Sequence, residues 1–334
     1  MHAAEFAHKL ESGRIECRLC PHRCKIGEGQ TGLCKARGVV HGDLQALTYG
    51  ILSSAHLDPI EKKPLYHFLP GSGIFSIGGW GCNFGCSFCQ NWSISQEAHL
   101  ESSREFRVED VVRSAQSEGS IGLAYTYNEP LIAFEFVRDC ARLARERGLR
   151  NVLVTNGYVE SDPAAELLPL VDALNIDIKS MNDGFYRQQC RGSLAPVLAF
   201  AEQSVRAGCL VEITNLVIPG LNDRDEEVEE LAVWVKEHLG PAVPLHLSAY
   251  RPEYKLDAPP TPPQALEHAF DLCSRHLPYV YMGNVASAKG CDTRCPACSA
   301  LLVARRGYSV EVVGLGHGAC VQCGRKADFA MPDR

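Results

Sequence analysis

Between residues 74 and 250 the apolar positions come in short continuous runs. The longer stretches between the runs repeat them every three or four residues. The runs are "IFSIGGWG" (74–81), "IGLAYTY" (121–127), "NVLVTNG" (151–157), "ALNIDIK" (173–179), "LVEITNLVIPG" (210–220) and "VPLHLSAY" (243–250). Each is rich in Val, Ile or Leu and bounded by Gly, Asn or Pro, which predicts buried parallel strands. Segments 107–118, 131–148, 160–170, 194–207, 224–239 and 263–276 predict helices. In "DRDEEVEELAVWVKEHLG" acidic residues crowd the first turns, Leu231, Val235 and Leu239 share one face, and Gly240 is the stop signal. Strand then helix, about six times over, implies a parallel sheet, either doubly wound or an incomplete barrel. Polar residues gather at the strand C-terminal ends, where both architectures place their sites: Glu129, Asn156, Lys179, Asn215 and His246.

The flanks differ. Residues 1–70 have weak periodicity and many Gly, Pro and His. After about 286, two β-rich runs around Arg306–Gly307 predict a hairpin. The expected organisation is therefore an N-terminal Cys-rich segment (1–70), a core (71–285) and a C-terminal module (286–334). With 334 residues, 46% hydrophobic and 22% charged, the chain can bury a sizeable core without cross-links. Net charge is −7 and no Lys/Arg block occurs, which argues against nucleic acid as a partner. "MHAAEFAHKLESGR" lacks the pattern of a secretory signal, and no apolar run of 18 residues suggests a membrane span. A cytoplasmic location is expected.

Sixteen cysteines then change the picture. Eleven fall in three groups, which suits metal ligands in a reducing compartment. Cys82, Cys86 and Cys89 are spaced C-x3-C-x2-C on a loop made supple by Gly79, Gly81 and Gly85. Three thiolates leave one ligand position of a cubane open, or else describe a zinc knuckle completed by a distant residue. Cys295, Cys298, Cys320 and Cys323, C-x2-C-x21-C-x2-C around the predicted hairpin, suggest a closed structural zinc site. Cys17, Cys20, Cys24 and Cys34, C-x2-C-x3-C-x9-C, imply one metal centre, and the spacing does not decide between zinc and an auxiliary iron–sulfur cluster. His22 could replace one of these cysteines. Cys140, Cys209 and Cys273 are expected in the core, Cys190 as a semi-buried or substrate-side thiol, and Cys291 as an unliganded one.

The string "CNFGCSFCQNWSIS", with Phe88 directly before the last cysteine, resembles the signature of the radical S-adenosylmethionine (SAM) superfamily, in the branch of the pyruvate formate-lyase activating enzymes. "EKKPLYHFLPG" and the terminal cysteines resemble the AmmeMemoRadiSam group of that superfamily. The resemblance implies a partial (β/α)6 barrel and a [4Fe-4S] cluster on the three cysteines. It also implies SAM on the fourth iron and a 5′-deoxyadenosyl radical that removes a hydrogen atom from a substrate. It further implies SAM contacts for Asn128 and Glu129 in "TYNEP", for Asp177 and Lys179 in "NIDIK", and for Phe88, Asn156 and His246. The activating enzymes have an arginine where Thr214 stands here, so the carboxylate must be held differently, with Asn215 as a substitute. An external electron donor and a Memo-type protein are the implied partners.

The expected function is thus a radical SAM enzyme with an unidentified substrate. One alternative is an activase making a glycyl radical on a partner protein. The other is a zinc-scaffold protein that binds protein or nucleic acid. If the terminal zinc module closes the barrel mouth, a small or tethered substrate is favoured over a protein loop.

Overall fold

The computed structural model describes residues 2–97, 103–287 and 289–331. The apolar runs become strands of one eight-stranded sheet: β1 (Ser54–Pro59), β2 (Gly73–Gly78), β3 (Gly122–Tyr125), β4 (Arg150–Thr155), β5 (Ala173–Asp177), β6 (Leu210–Val217), β7 (Leu245–Ala249) and β8 (Val280–Gly283). Strands β2 to β8 are parallel and lie side by side in chain order, with Leu123 beside Phe75 and Thr214 beside His246. β1 adds antiparallel to β2, with Leu57 opposite Phe75. The outer edges of β1 and β8 are not paired to each other, so the barrel is incomplete.

Six helices cross over between the parallel strands: α1 (Val108–Ser117), α2 (Phe134–Glu146), α3 (Ser161–Leu167), α4 (Leu194–Arg206), α5 (Asp225–Trp234) and α6 (Pro263–Ser274). Their apolar stripes face the sheet. On α2, Phe134, Val137, Cys140, Ala141 and Ala144 are buried one or two turns apart. α5 starts on three acidic residues and passes into a π turn, Val235–Leu239, before Gly240.

The parallel count is seven, where the run pattern predicts six. β8 escapes that pattern because "YVYMG" is short, rich in Tyr and preceded by Pro278. β1 escapes it because "SSAHLDP" alternates too weakly to stand out from a loop. The N-terminal segment, read as weakly periodic, forms two small antiparallel sheets, His2–Ala3/Asp43–Ala46/Arg37–Val40 and Ala7–Lys9/Ile15–Cys17/Lys25–Ile26.

The strand-entry end of the barrel has a polar floor. Residues 60–69 fold under it, and Glu212 near the start of β6 accepts the N–H groups of Tyr66 (3.0 Å) and His67 (2.7 Å). The C-terminal module is fastened to this floor. Its hairpin strands, β9 (Thr293–Arg294), β10 (Leu301–Arg306) and β11 (Ser309–Val312), are antiparallel. Arg305, 1% exposed, lies over the Tyr66 ring at 4.1 Å and donates to the Tyr66 carbonyl and the Thr293 hydroxyl, both at 2.7 Å. His67 contacts the Asp328 carbonyl through Nδ1 (2.9 Å) and the Tyr281 hydroxyl through Nε2 (2.7 Å). The module therefore covers the floor and not the mouth, which corrects the expectation that it closes the substrate entrance.

Candidate metal and cofactor site

At the opposite end the strand exits surround one cavity of about 430 Å³. Cys82 follows β2, Glu129 follows β3, Asn156 follows β4, Asp177 ends β5 and Lys179 follows it; Thr214 (β6), Ser248 (β7) and Asn284 after β8 complete the wall. A flat sheet could not bring residues from its second and eighth strands to one cavity. The sheet must curl, and this is the geometry in which (β/α) barrels hold their sites.

The loop carrying Cys82, Cys86 and Cys89 is pinned at each end. The Gly79 N–H donates to Asn128 Oδ1 (2.9 Å), and Asn128 Nδ2 donates to the Gly81 carbonyl (3.0 Å). Further along, the Gly85 and Ser87 N–H groups donate to the carbonyls of Cys190 (2.8 Å) and Gln189 (2.9 Å), in a π turn spanning Tyr186–Cys190. Gly81 has φ +88°, and a Cβ there would lie 2.1 Å from the Cys34 carbonyl, so only glycine serves. All three thiols line the cavity. Burial pushes Cys82 well above the usual thiol range. A hydrogen bond with Cys190 holds Cys86 below it. Cys190, read as semi-buried or substrate-side, is fully buried and partners Cys86.

Glu129 accepts the Leu131 N–H (2.9 Å), the Thr155 hydroxyl (2.7 Å) and the Asn156 N–H (2.8 Å), so it caps the following turn while lining the cavity. Burial outweighs these bonds and pushes its carboxyl up to about 7. Asn156 Nδ2 donates to Asn83 Oδ1 (2.9 Å) and stands 3.7 Å from Cys82 Sγ. Lys179 bonds Asp177 at 3.0 Å and lies 5.9 Å from the Phe88 ring centre. Burial opposes its charge, but Asp177 and the thiols of Cys86 and Cys190 outweigh burial and hold the ammonium well above the usual lysine range. Thr214 Oγ1 is buried and has no partner. A buried hydroxyl without a partner on a cavity wall is what a polar ligand would satisfy.

Phe88, Asn128, Glu129, Asn156, Asp177, Lys179 and Thr214 thus share one cavity wall with the three cysteines. Two expected positions lie elsewhere. Asn215 alternates to the other face of β6 and donates to the Ile178 carbonyl (2.8 Å). His246 sits near the start of β7, in the floor, with Nε2 2.6 Å from Glu212. Neither lines the cavity. The pattern reading missed Lys63. It is 2% exposed, bonds Asp58 at 2.7 Å and reaches the same cavity, and burial pushes its ammonium down to about 8. The paired lysines in "EKKP", directly before the apolar "LYHFLPG", were the available signal.

The other cysteine groups also assemble. The sulfurs of Cys295, Cys298, Cys320 and Cys323 all lie within 4.8 Å of one another, with Cys295–Cys323 at 3.6 Å and Cys298–Cys320 at 3.7 Å. Cys17, Cys20, Cys24 and Cys34 ring a second, small cavity. His22 borders it, but its Nε2 bonds the Asn83 carbonyl (2.7 Å). Cys140, Cys209 and Cys273 are core residues.

The donor set suits a cluster with one open iron: three thiols lining one cavity, the buried Lys63 and the half-buried Lys179 in the same lining, and a hydroxyl in want of a partner. The sequence comparisons agree. The model of the radical SAM superfamily matches residues 77–232. An uncharacterized protein of Methanocaldococcus jannaschii is 42% identical over 99% of this chain and 100% of its own length. The pyruvate formate-lyase 1-activating enzyme of Escherichia coli is 28% identical over 53% of this chain and 78% of its own. Among solved structures, a radical SAM methyltransferase from Sphaerobacter thermophilus aligns with TM-score 0.49 and 18% identity, over 64% of this chain and 67% of that one. Thiol geometry, strand-exit cavity and relatives converge on an enzyme: the chain belongs to the radical SAM superfamily.

Proposed function

We propose that this enzyme cleaves SAM reductively at Cys82, Cys86 and Cys89 and uses the resulting radical to abstract a hydrogen atom from a substrate entering at the strand-exit mouth. The carrying observation is the under-ligated thiol triad facing a cavity of about 430 Å³ at the strand exits. When bound, a [4Fe-4S] cluster on these thiols supplies one electron to the SAM sulfonium. The chain's own residues do the positioning. Glu129 and Asn156 fix the wall beside Cys82, Thr214 offers its unused hydroxyl, and Lys63 and Lys179 supply the positive charge that an arginine gives the activating enzymes. The test is anaerobic formation of 5′-deoxyadenosine from SAM by reduced protein. Wild-type chain should form it and Cys86→Ala should not; full activity in the variant defeats the assignment.

A second reading makes the hydrogen donor a glycine of a partner protein. It is favoured by the floor-side position of the C-terminal module, which leaves the mouth uncovered by that module, and by the similarity to an activating enzyme. An EPR-detected glycyl radical on a candidate partner would select it. For the C-terminal cysteines the reading is a structural zinc, supported by sulfur spacings of 3.6 and 3.7 Å. Cys298→Ser should lose one zinc per chain and lower solubility.

A further inference from the structure

The N-terminal cysteines can be sorted by comparing the three cysteine sets with one another. The C-terminal sulfurs fall within 4.8 Å, as bonds of about 2.3 Å to a single tetrahedral ion require. Among the described residues, no three of Cys17, Cys20, Cys24 and Cys34 meet that spacing, and neither do Cys82, Cys86 and Cys89. The N-terminal thiols instead ring a cavity of about 20 Å³ with Leu19, Ile26 and Ile132. That is more than the minimum of about 10–15 Å³ that one water needs. Four thiols that line one void without closing on a single point suit a cluster in which each sulfur binds a different iron.

A second observation comes from Arg37, which borders the same cavity and is 1% exposed. Its terminal nitrogens donate to Glu135 (3.0 Å) and to the Glu5 carbonyl (2.5 Å), while Nε has no partner. A buried N–H left over beside four thiolates is a donor for anionic sulfur.

We propose that Cys17, Cys20, Cys24 and Cys34 hold a second [4Fe-4S] cluster, fully ligated by protein, that passes electrons to the catalytic cluster. The inference rests on the reading of Cys82, Cys86 and Cys89 given above. Its physical basis is position. The Cys34 carbonyl packs on Gly81, and Asn83 both borders the N-terminal cavity and bonds His22. Gly81 and Asn83 flank Cys82. Leu33, which also lines this cavity, is 66% exposed. The N-terminal site thus stands between the protein surface and the catalytic loop. With four thiolates it has no open iron for a substrate, which leaves one-electron transfer as its chemistry. A low-potential flavin or iron–sulfur protein, the external reductant, gives up one electron. The N-terminal cluster takes it and is reoxidised as the catalytic cluster is reduced. No bond forms or breaks and no proton moves.

Metal analysis of the anaerobically reconstituted full chain tests the site. About eight iron and one zinc per chain are expected, whereas about four iron with two zinc would overturn the inference and leave the catalytic reading intact. Iron-free protein would defeat both. The Cys82→Ala/Cys86→Ala/Cys89→Ala variant should keep about four iron and an EPR signal after dithionite reduction; an iron-free variant counts against the N-terminal cluster. For the relay, Cys20→Ser/Cys24→Ser should reduce 5′-deoxyadenosine formation to the no-donor background with reduced flavodoxin. Formation should persist with dithionite, which reaches the catalytic cluster directly. Loss with both reductants, or retention with both, overturns the relay.

Discussion

Thr214 stands on the cavity wall with its hydroxyl buried and unpartnered. Leaving such a group unmade costs about 1–3 kcal/mol, so the free enzyme is less stable than it need be until a ligand arrives. Thr214→Val should raise the stability of the SAM-free chain by about 1 kcal/mol in denaturant melts and weaken SAM binding by calorimetry. Stabilisation without weaker binding would mean the hydroxyl faces no ligand. His67 tells a different story at the same scale. It is buried, stacked on Phe329 at 4.2 Å, and burial pushes its ring down to about 4 from an ordinary 6.5. The native ring stays neutral while the unfolded ring takes a proton. Its contribution is therefore fully present above pH 6.5 and is lost as pH falls from 6.5 towards 4. The loss is on the order of 3 kcal/mol. His67→Gln should flatten the acid limb of the stability–pH curve across that window; an unchanged limb would assign the acid sensitivity to other groups.

Among the elements, the cysteine loop leaves no room for a side chain at Gly81, where its backbone meets the Cys34 carbonyl and the Ile132 side chain at once. Gly81→Ala would place a methyl 2.1 Å from the Cys34 carbonyl at φ +88°. The expected cost is about 3 kcal/mol or more, together with loss of iron from the catalytic triad, read by thermal unfolding and iron content. Unchanged iron and stability would mean that the two loops slide freely past each other. Legibility in the sequence follows a similar line. Strands β2 to β7 stood out because each is buried on both faces and so reads as a continuous apolar run. β1 and β8 did not, because edge strands keep polar or aromatic residues that a periodic pattern ignores. The spacing of the cysteine triad marked it as a ligand set while leaving the metal open, and places at strand ends drew attention to Glu129 and Lys179, which share its cavity. Lys63 and Arg37 were hidden, since a charged residue in a sequence reads as surface until the fold buries it beside a partner. His246 misled for the opposite reason. A histidine on a strand looks available, and only the three-dimensional neighbour Glu212 shows that it is already committed.

At the scale of the whole molecule, the C-terminal module and residues 60–69 share one buried polar network beneath the barrel. Arg305 is its linchpin: its guanidinium donates to the Cys291 and Tyr66 carbonyls and to the Thr293 hydroxyl, and lies over the Tyr66 ring. Arg305→Met should cost about 3 kcal/mol and free the module for limited proteolysis near residue 290, while SAM cleavage at the far end persists. Loss of cleavage together with proteolytic release would mean that the floor also positions the strand exits. The same floor joins His67 to Asp328, 261 positions apart in the chain, and pairs Phe68 with Ala330. Contacts of such separation form late, since the loop between them must be closed first. On the ribosome the underside therefore stays open until residue 330 has emerged, long after every cysteine of the first two groups. No described residue of the C-terminal module borders the cavity of Cys82, Cys86 and Cys89, so iron entering by the mouth need not wait for that base to close.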